Sequence, residues 1–244
     1  MDMRSLLVAP GDDEGKLAAA LTSEADAVVI DLDIMDGARA AARATAARIL
    51  KAAPREKQPA LMARISPLDS GETDADLDAV MAYAPFAILL PKCRGAACIQ
   101  RLSTKLAVRE ASCGLKEGAT RIVAVADSAR GLLALGSLPE ASARLAGLAW
   151  DAEAIRAELG ADSSRDGAGV YAGPLRLARD MSLIAAAGAS VVAIDTTFAG
   201  IPDLEGLRAE ALAARRDGFA AKLAIDPAQA KIINAAFAAA AETG

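Results

Sequence analysis

The stretch Ala124-Val125-Ala126-Asp127-Ser128-Ala129-Arg130-Gly131 decides how the fold of this chain is interpreted. An apolar run that starts at Ile122 leads into one acid, Asp127, and a helix-like segment follows at once. A buried strand that ends in a carboxylate and turns into a helix is how α/β folds place chemistry at the carboxyl end of a sheet. Taken alone, Asp127 also fits a helix N-cap. It becomes a site candidate because other strand ends carry similar residues.

Seven further apolar segments repeat this pattern. The eight predicted strands are 5–10, 27–30, 60–63, 87–90, 122–126, 145–150, 191–194 and 222–225. Apolar strands that alternate with helices indicate a parallel sheet covered on both faces. Eight such units favour an α/β fold of the closed (β/α)8 kind, a TIM barrel, with an Ala-rich last helix from Ala228 to the C-terminus. A doubly wound open sheet is the alternative, weakened because no Gly-rich dinucleotide fingerprint follows the first strand.

Length and composition narrow the class of protein. The 244 residues fit one barrel domain spanning 1–244. A net charge of -5 without a basic run argues against nucleic acid as a partner. No apolar stretch has the length of about 18 residues that a membrane span needs. The start carries no secretion signal, and three irregularly spaced cysteines fit free thiols, so we expect a cytoplasmic protein.

The sequence contains no histidine. This excludes Ser-His-Asp and Cys-His catalysis and every His-ligated metal site. Any metal must then be held by oxygen ligands, which points to Mg²⁺ or Mn²⁺. Acid–base work falls to carboxylates, Lys, Tyr, Cys or water.

A closed barrel would gather the residues that follow its strands on one face. These are Asp31, Asp33, Arg64, Lys92, Asp127, Asp151, Glu153, Asp195 and Asp226. Clustered carboxylates repel one another unless a cation or ligand offsets them, and a guanidinium is suited to a carboxylate ligand. One Mg²⁺ and Arg64 would suit a 2-oxo acid or a dicarboxylate, with the metal stabilising an enolate. Structural roles stay open: Asp31 and Asp195 as caps of the loops after their strands, and Asp226 as a helix N-cap.

Motifs along almost the whole chain resemble one known family. They are Arg4-Ser5-Leu6-Leu7-Val8-Ala9-Pro10-Gly11, Ala25-Asp26-Ala27-Val28-Val29-Ile30-Asp31-Leu32-Asp33, Arg64-Ile65-Ser66-Pro67, Leu90-Pro91-Lys92, Asp127-Ser128-Ala129-Arg130-Gly131 and the segment from Gly218 to Gln229. Together they resemble the HpcH/HpaI aldolase family and, within it, the citrate lyase beta-subunit-like branch.

The resemblance implies a (β/α)8 barrel that forms a homotrimer or hexamer. It also implies Mg²⁺-assisted cleavage or formation of a carbon–carbon bond in a 2-oxo acid or a 3-hydroxyacyl-CoA thioester. The site residues it predicts fall into three groups. They are Arg64, Asp33 and Lys92 for catalysis; Arg64, Asp31, Asp151 and Ala152 for substrate binding; and Asp127, Asp151 and Glu153 for the metal.

Several positions depart from the family pattern. Asp127 replaces a metal-binding Glu, and Ala154 stands where a metal-binding Asp is expected. Asp127 with Asp151 or Glu153 would rebuild the metal site in a shifted geometry. Alternatively, metal binding and lyase activity are lost and the protein is a non-catalytic or regulatory relative. Thioester hydrolysis of an acyl-CoA is a third possibility.

Overall fold

Eight parallel strands close into a barrel in the computed structural model of the protein, which describes residues 3–53, 59–167 and 169–238. Each strand pairs with the next in chain order, and the last pairs with the first. The strands are β1 (Ser5–Pro10), β2 (Ala27–Asp31), β3 (Ala60–Arg64), β4 (Ala87–Leu90), β5 (Arg121–Ala126), β6 (Leu145–Trp150), β7 (Val192–Asp195) and β8 (Ala221–Ala224). The predicted (β/α)8 barrel is confirmed, and the open-sheet alternative is wrong because this sheet has no edge.

The α-helices that the structure describes lie between the strands and after the last one. They are α1 (Glu14–Leu21), α2 (Arg39–Ala52), α3 (Thr73–Val80), α4 (Ala96–Ser112), α5 (Ala129–Leu133), α6 (Ala152–Leu159), α7 (Gly173–Gly188), α8 (Leu204–Asp217) and α9 (Pro227–Ala238). The predicted C-terminal helix is present up to Ala238, and its remainder lies outside the described residues. Within the described ranges, no helix is long and apolar enough to cross a membrane.

The polar, glycine-containing stretch from Glu110 to Gly118 predicts a loop, and this prediction is wrong at its start, because α4 continues to Ser112. Glu110 explains the difference. Its side chain is buried in the last turn, where it accepts hydrogen bonds from the backbone N–H groups of Gly118 and Thr120. It also forms a two-pronged ion pair with Arg144 at 2.7 and 2.8 Å. The helix can continue through Glu110 because the charge of this side chain is paired with Arg144 inside the protein.

Side chains alternate along the strands between two apolar layers. One layer fills the barrel and the other separates the strands from the helices. The fully buried interior residues are Leu6, Ala27, Val29, Met62, Ala87, Leu89, Val123, Val125, Ala149, Ile194, Ala221 and Leu223. Successive residues of a strand point to opposite faces, so every second residue belongs to the interior row. The same alternation decides which strand-end residues face the barrel mouth.

A glycine sets the distance between α5 and the chain after β4. Gly131 lies in the first turn of α5, and a Cβ at this position would stand 2.6 Å from the carbonyl oxygen of Cys93. Real Cβ atoms do not approach a backbone oxygen this closely. The absence of a side chain at Gly131 therefore allows β5–α5 to dock directly on the segment after β4.

We expect Gly131→Ala to lower the free energy of unfolding by about 1–3 kcal/mol, because the methyl group overpacks a backbone contact. Helix propensity alone predicts the opposite sign, a gain of up to about 1 kcal/mol. Gly136→Ala is the matched control, since a Cβ there meets nothing within 4 Å. Urea denaturation of both variants checks this. Equal or higher stability of Gly131→Ala would contradict the packing argument.

Candidate active site

Four predicted site residues continue the interior rows of their strands. Each lies two positions beyond an interior side chain, so it shares that face. The pairs are Asp31 after Val29, Arg64 after Met62, Asp127 after Val125 and Asp151 after Ala149. The four therefore meet at the carboxyl-end mouth of the barrel, the face where catalytic residues of this fold lie.

Arg64 lies between two carboxylates without closing tightly on either. Its Nη1 is 3.4 Å from Asp31 Oδ2, and its Nη2 is 3.5 Å from Asp33 Oδ2. Both distances exceed the usual 2.7–2.9 Å of a charge-assisted hydrogen bond. The Nε atom is buried and has no hydrogen-bond partner among the described residues. A guanidinium with a buried donor left over has capacity for one more acceptor.

Asp31 is held in a low-polarity position. Burial raises the pKa of its carboxyl to about 6, and the neighbouring Arg64 offsets part of that effect. The charges of Asp33 and Asp12 act in the same direction as burial. The Asp31 Oδ1 atom accepts a hydrogen bond from the backbone N–H of Asp33 at 3.0 Å. The group therefore changes its charge near neutral pH.

Asp127 is buried and held by the loop after β4. Both of its carboxylate oxygens accept the backbone N–H of Lys92, at 2.9 and 3.1 Å. The Lys92 ammonium donates to the Asp127 carbonyl at 3.0 Å and stays 4.0 Å from the carboxylate. Burial raises the pKa of Asp127, and Asp151 adds to that effect against Lys92 and Arg64. The N-cap of α5 is Ser128, so a capping role for Asp127 is wrong.

Asp151 faces the mouth and also begins α6. Its Oδ1 atom caps the helix, accepting from the backbone N–H groups of Glu153 and Ala154 at 3.1 and 3.0 Å. Its Oδ2 atom accepts no hydrogen bond from the described part of the chain. The backbone N–H of Ala152, a predicted substrate contact, donates to Thr196 Oγ1 at 3.1 Å. This amide is therefore already occupied by the protein.

The structure does not gather Glu153 with the other two predicted metal ligands. Its carboxylate pairs with Arg156 at 2.8 Å, and hydrogen bonds from Ser164 and Arg156 lower its pKa. Within residues 3–53, 59–167 and 169–238, no three His, Cys, Asp or Glu side chains are placed to share a metal ion. Asp127 and Asp151 face the same mouth, and the charge of Asp151 acts on the titration of Asp127.

Two other strand-end acids lie away from the mouth. Asp195 follows the interior residue Ile194 directly, so it points outward, where it is fully buried against Lys222 at 2.9 Å and Trp150 Nε1 at 2.8 Å. The expectation that Asp195 joins the ligand face is therefore wrong. Asp226 Oδ1 accepts the N–H of Ala228 at 2.9 Å, the contact of the predicted N-cap.

Two residues at the mouth were missed. Asp12, after β1, acts on the titration of Asp31. Thr196 lies two positions beyond the interior residue Ile194 and fixes the start of α6 through Ala152. The alternation along β7 carried the signal for Thr196. Thr196 is uncharged, so a criterion based on charged strand-end residues does not include it.

The titration of Asp31 gives a testable pH dependence. The folded state binds this proton more tightly than an unfolded Asp, whose pKa is near 4. The stability that the proton contributes is present below about pH 4 and is lost as the pH rises through about 6. The difference in unfolding free energy between Asp31→Asn and the wild type should thus shift in favour of the variant by about 2–3 kcal/mol from pH 4 to pH 7.

Urea denaturation at several pH values measures this difference, and a carboxyl NMR titration gives the midpoint directly. Arg64→Gln serves as a second variant. It should move the Asp31 midpoint upward, because Arg64 holds that pKa down. An Asp31 midpoint near 4 in the wild type would contradict the burial argument.

Comparison with known proteins adds to this geometry. The profile of the HpcH/HpaI aldolase/citrate lyase family matches residues 4–227. The chain is 29% identical over 239 residues to the citrate lyase subunit beta of Haemophilus influenzae, covering 96% of this chain and 79% of that protein. It is also 29% identical to a (3S)-malyl-CoA thioesterase of Cereibacter sphaeroides, covering 96% and 76%. The citrate lyase beta subunit of M. tuberculosis, solved with oxaloacetate and magnesium, superposes with a TM-score of 0.81 at 27% identity over 97% of both chains.

Proposed function

The chain belongs to the HpcH/HpaI aldolase/citrate lyase family, and from this premise we propose that it is a Mg²⁺-assisted carbon–carbon lyase. Its substrate is a 3-hydroxyacyl-CoA thioester or a 2-oxo acid. The observation that supports the proposal is the buried Nε of Arg64, which has no hydrogen-bond partner among the described residues. Asp127 lies at the same mouth, where burial raises the pKa of its carboxyl. A cation and a carboxylate ligand would together complete these two groups.

Arg64 is the group that binds the substrate carboxylate. Its planar fork offers parallel N–H donors, and its long contacts to Asp31 and Asp33 leave it free to shift toward a stronger acceptor. The two aspartates then act as a cradle that holds the guanidinium at the mouth. Oxaloacetate, named with the related M. tuberculosis structure, is a ligand of the required chemistry.

Asp127 and Asp151 are the residues that would hold Mg²⁺. Both are oxygen donors, which Mg²⁺ prefers, and one or two carboxylates are enough when water and substrate supply the other positions. Burial raises the pKa of Asp127 and repulsion from Asp151 adds to it, and a bound cation would offset both effects. When bound, the metal would supply Lewis-acid polarisation of a substrate carbonyl and so stabilise the enolate formed on cleavage. Mn²⁺ has the same ligand preference.

Lys92 and Asp31 complete the proposed machinery. The N–H of Lys92 orients the Asp127 carboxylate, and its ammonium anchors the same loop through the Asp127 carbonyl. Lys92 adopts a left-handed backbone with φ 49°, a conformation that costs a non-glycine residue about 1 kcal/mol or more. Asp31, with a pKa of about 6, is the residue that holds a proton near the operating pH.

A non-catalytic relative is the second candidate, favoured by the methyl side chain of Ala154 and by the ion pair that occupies Glu153. Thioester hydrolysis is a third, since a relative of the same identity is named a malyl-CoA thioesterase. The products formed from malyl-CoA and from other 3-hydroxyacyl-CoA esters, such as citryl-CoA, separate the three; for malyl-CoA they are as follows. A lyase releases acetyl-CoA and glyoxylate, a thioesterase releases malate and free CoA, and a binding protein leaves the thioester intact. We further expect a homo-oligomer, a trimer or hexamer.

We expect Mg²⁺ to bind with oxaloacetate or pyruvate present, and Asp127→Asn to weaken that binding by at least about 100-fold, because the variant loses a charged ligand. Glu153→Gln is the control and should leave the affinity unchanged, since its partner is Arg156. Calorimetry with Mg²⁺ and with Mn²⁺ makes the measurement. Binding that survives in Asp127→Asn but not in Glu153→Gln would reverse the assignment.

Replacing Arg64 tests the carboxylate site separately. Arg64→Ala should weaken oxaloacetate binding by about 10–100-fold, since a charged hydrogen bond contributes about 1.5–3 kcal/mol. Arg64→Lys should recover little of that loss, because an ammonium lacks the paired donors. Arg121→Ala is the matched control, because Arg121 begins β5 at the opposite, amino end of the barrel, where it donates to the Ala143 carbonyl at 3.3 Å. Equal affinities in wild type and Arg64→Ala would remove Arg64 from the substrate site.

A further inference from the structure

Two cysteines face each other across the turn between β4 and α4. Cys93 is buried in the segment after β4, and Cys98 is half-buried in the first turn of α4. The Gly95 carbonyl accepts a hydrogen bond from the Cys93 thiol at 3.8 Å and another from the backbone N–H of Cys98 at 3.1 Å. The backbone N–H of Arg94 donates to the same Cys98 sulfur at 3.4 Å. Both cysteines therefore contact the same short turn, where the two thiols affect each other's titration.

Gly95 gives the turn its shape. Its backbone, at φ 94° and ψ -166°, is a conformation that other residues rarely adopt. A Cβ there would also lie 2.5 Å from Ser137 Oγ. The turn that brings the two sulfurs together is therefore a fixed part of the fold.

The two thiols have different environments. Interaction with the Cys93 thiol, together with Arg94, lowers the pKa of Cys98 to about 6. The same interaction and burial raise the pKa of Cys93. Cys98 thus carries the thiolate, and Cys93 keeps its proton. A thiolate is the nucleophile in thiol–disulfide exchange, and a neighbouring thiol is the group that resolves a mixed disulfide.

We propose that Cys93 and Cys98 form a dithiol site that exchanges with low-molecular-weight disulfides. The Cys98 thiolate attacks one sulfur of the reagent disulfide and expels the first small thiol, leaving a mixed disulfide on Cys98. Cys93 then attacks the Cys98 sulfur, breaks the mixed disulfide and expels the second small thiol. The two cysteines are oxidised to one disulfide, and the reagent disulfide is reduced to two small thiolates. The proton of Cys93 passes to the second leaving sulfur or to solvent.

This site lies on the segment that carries Lys92, but it depends neither on a bound metal nor on lyase activity. Its failure and the failure of the proposed function are therefore separate results. Cys113, the remaining cysteine of the chain, is exposed and is removed in the test so that it does not react.

The experiment treats folded Cys113→Ser with the aromatic disulfide reagent DTNB and follows both released thiolate and protein mass. We expect two thiolates released per chain, no retained adduct, and a protein lighter by about 2 Da, the two hydrogens lost on closing the disulfide. In Cys93→Ser/Cys113→Ser, Cys98 should release one thiolate and keep the adduct. In Cys98→Ser/Cys113→Ser, the buried Cys93 should react at least about tenfold more slowly, as a protonated, inaccessible thiol.

Circular dichroism establishes that each variant is folded before treatment. A stable mixed disulfide on Cys98 in Cys113→Ser would overturn the proposal, because Cys93 would then not resolve it. Faster reaction at Cys93 than at Cys98 would overturn it as well. Two thiolates released with two adducts retained would also count against it, since the cysteines would then react independently.

Discussion

The alternation of side chains along eight closed parallel strands is the constraint on which the site depends. Closure makes one set of alternate residues fill the barrel and sends the other set against the helices. The position of a strand-end residue in this alternation decides whether its side chain faces the barrel mouth or the helices. Asp127 faces the mouth and Asp195 faces the helices for this reason alone, although both follow apolar strands in the same way.

The fold was predictable because its signal is repeated eight times. Each strand end lies within one residue of its predicted position, since apolar runs bounded by polar residues leave little freedom in a parallel sheet. The end of α4 was not predictable, because the stabilising partner of Glu110 is Arg144, 34 residues away in the chain.

Side-chain orientation was predictable in principle for Asp31, Arg64, Asp127 and Asp151. The orientation follows by counting in steps of two from a residue that faces the barrel interior. The sequence alone does not show which residues face the interior. The pairing of Glu153 with Arg156 follows from the helix that Asp151 starts, so it depended on a cap that the strand pattern does not reveal.

The charges of the acids at the barrel mouth are only partly compensated by neighbouring groups. Burial of Asp31 and Asp127 raises both pKa values. The Arg64 guanidinium, the Lys92 ammonium and the backbone N–H groups of Asp33 and Lys92 offset this only in part. Apolar residues in place of Asp31 and Asp127 would make the barrel more stable, because the desolvation cost of a buried charge exceeds its electrostatic gain unless the charge is fully paired. Outside the mouth the chain pairs its buried charges well: Lys222 Nζ donates to Asp195, Glu210 and the Thr196 carbonyl at 2.7–2.9 Å. The incomplete pairing at Arg64 and Asp127 is therefore local, and it is what a site left open for a charged ligand requires.

The shorter side chain at Asp127 is compatible with this role. A carboxylate on one methylene fewer stays closer to its own strand, where the Lys92 N–H meets both oxygens. Each carboxylate oxygen has two lone pairs, so one shared hydrogen bond leaves sites for a cation on the same group. The amide thus fixes the direction of the carboxylate without using up its capacity. The left-handed backbone of Lys92 places its N–H against the Asp127 carboxylate. The loop after β4 and the acid after β5 therefore form one structural unit. Gly131, which admits the Cys93 carbonyl at close range, holds the two halves of that unit together. The methyl side chain of Ala154 offers no ligand atom, but the contacts that support Asp127 and Asp151 do not depend on it.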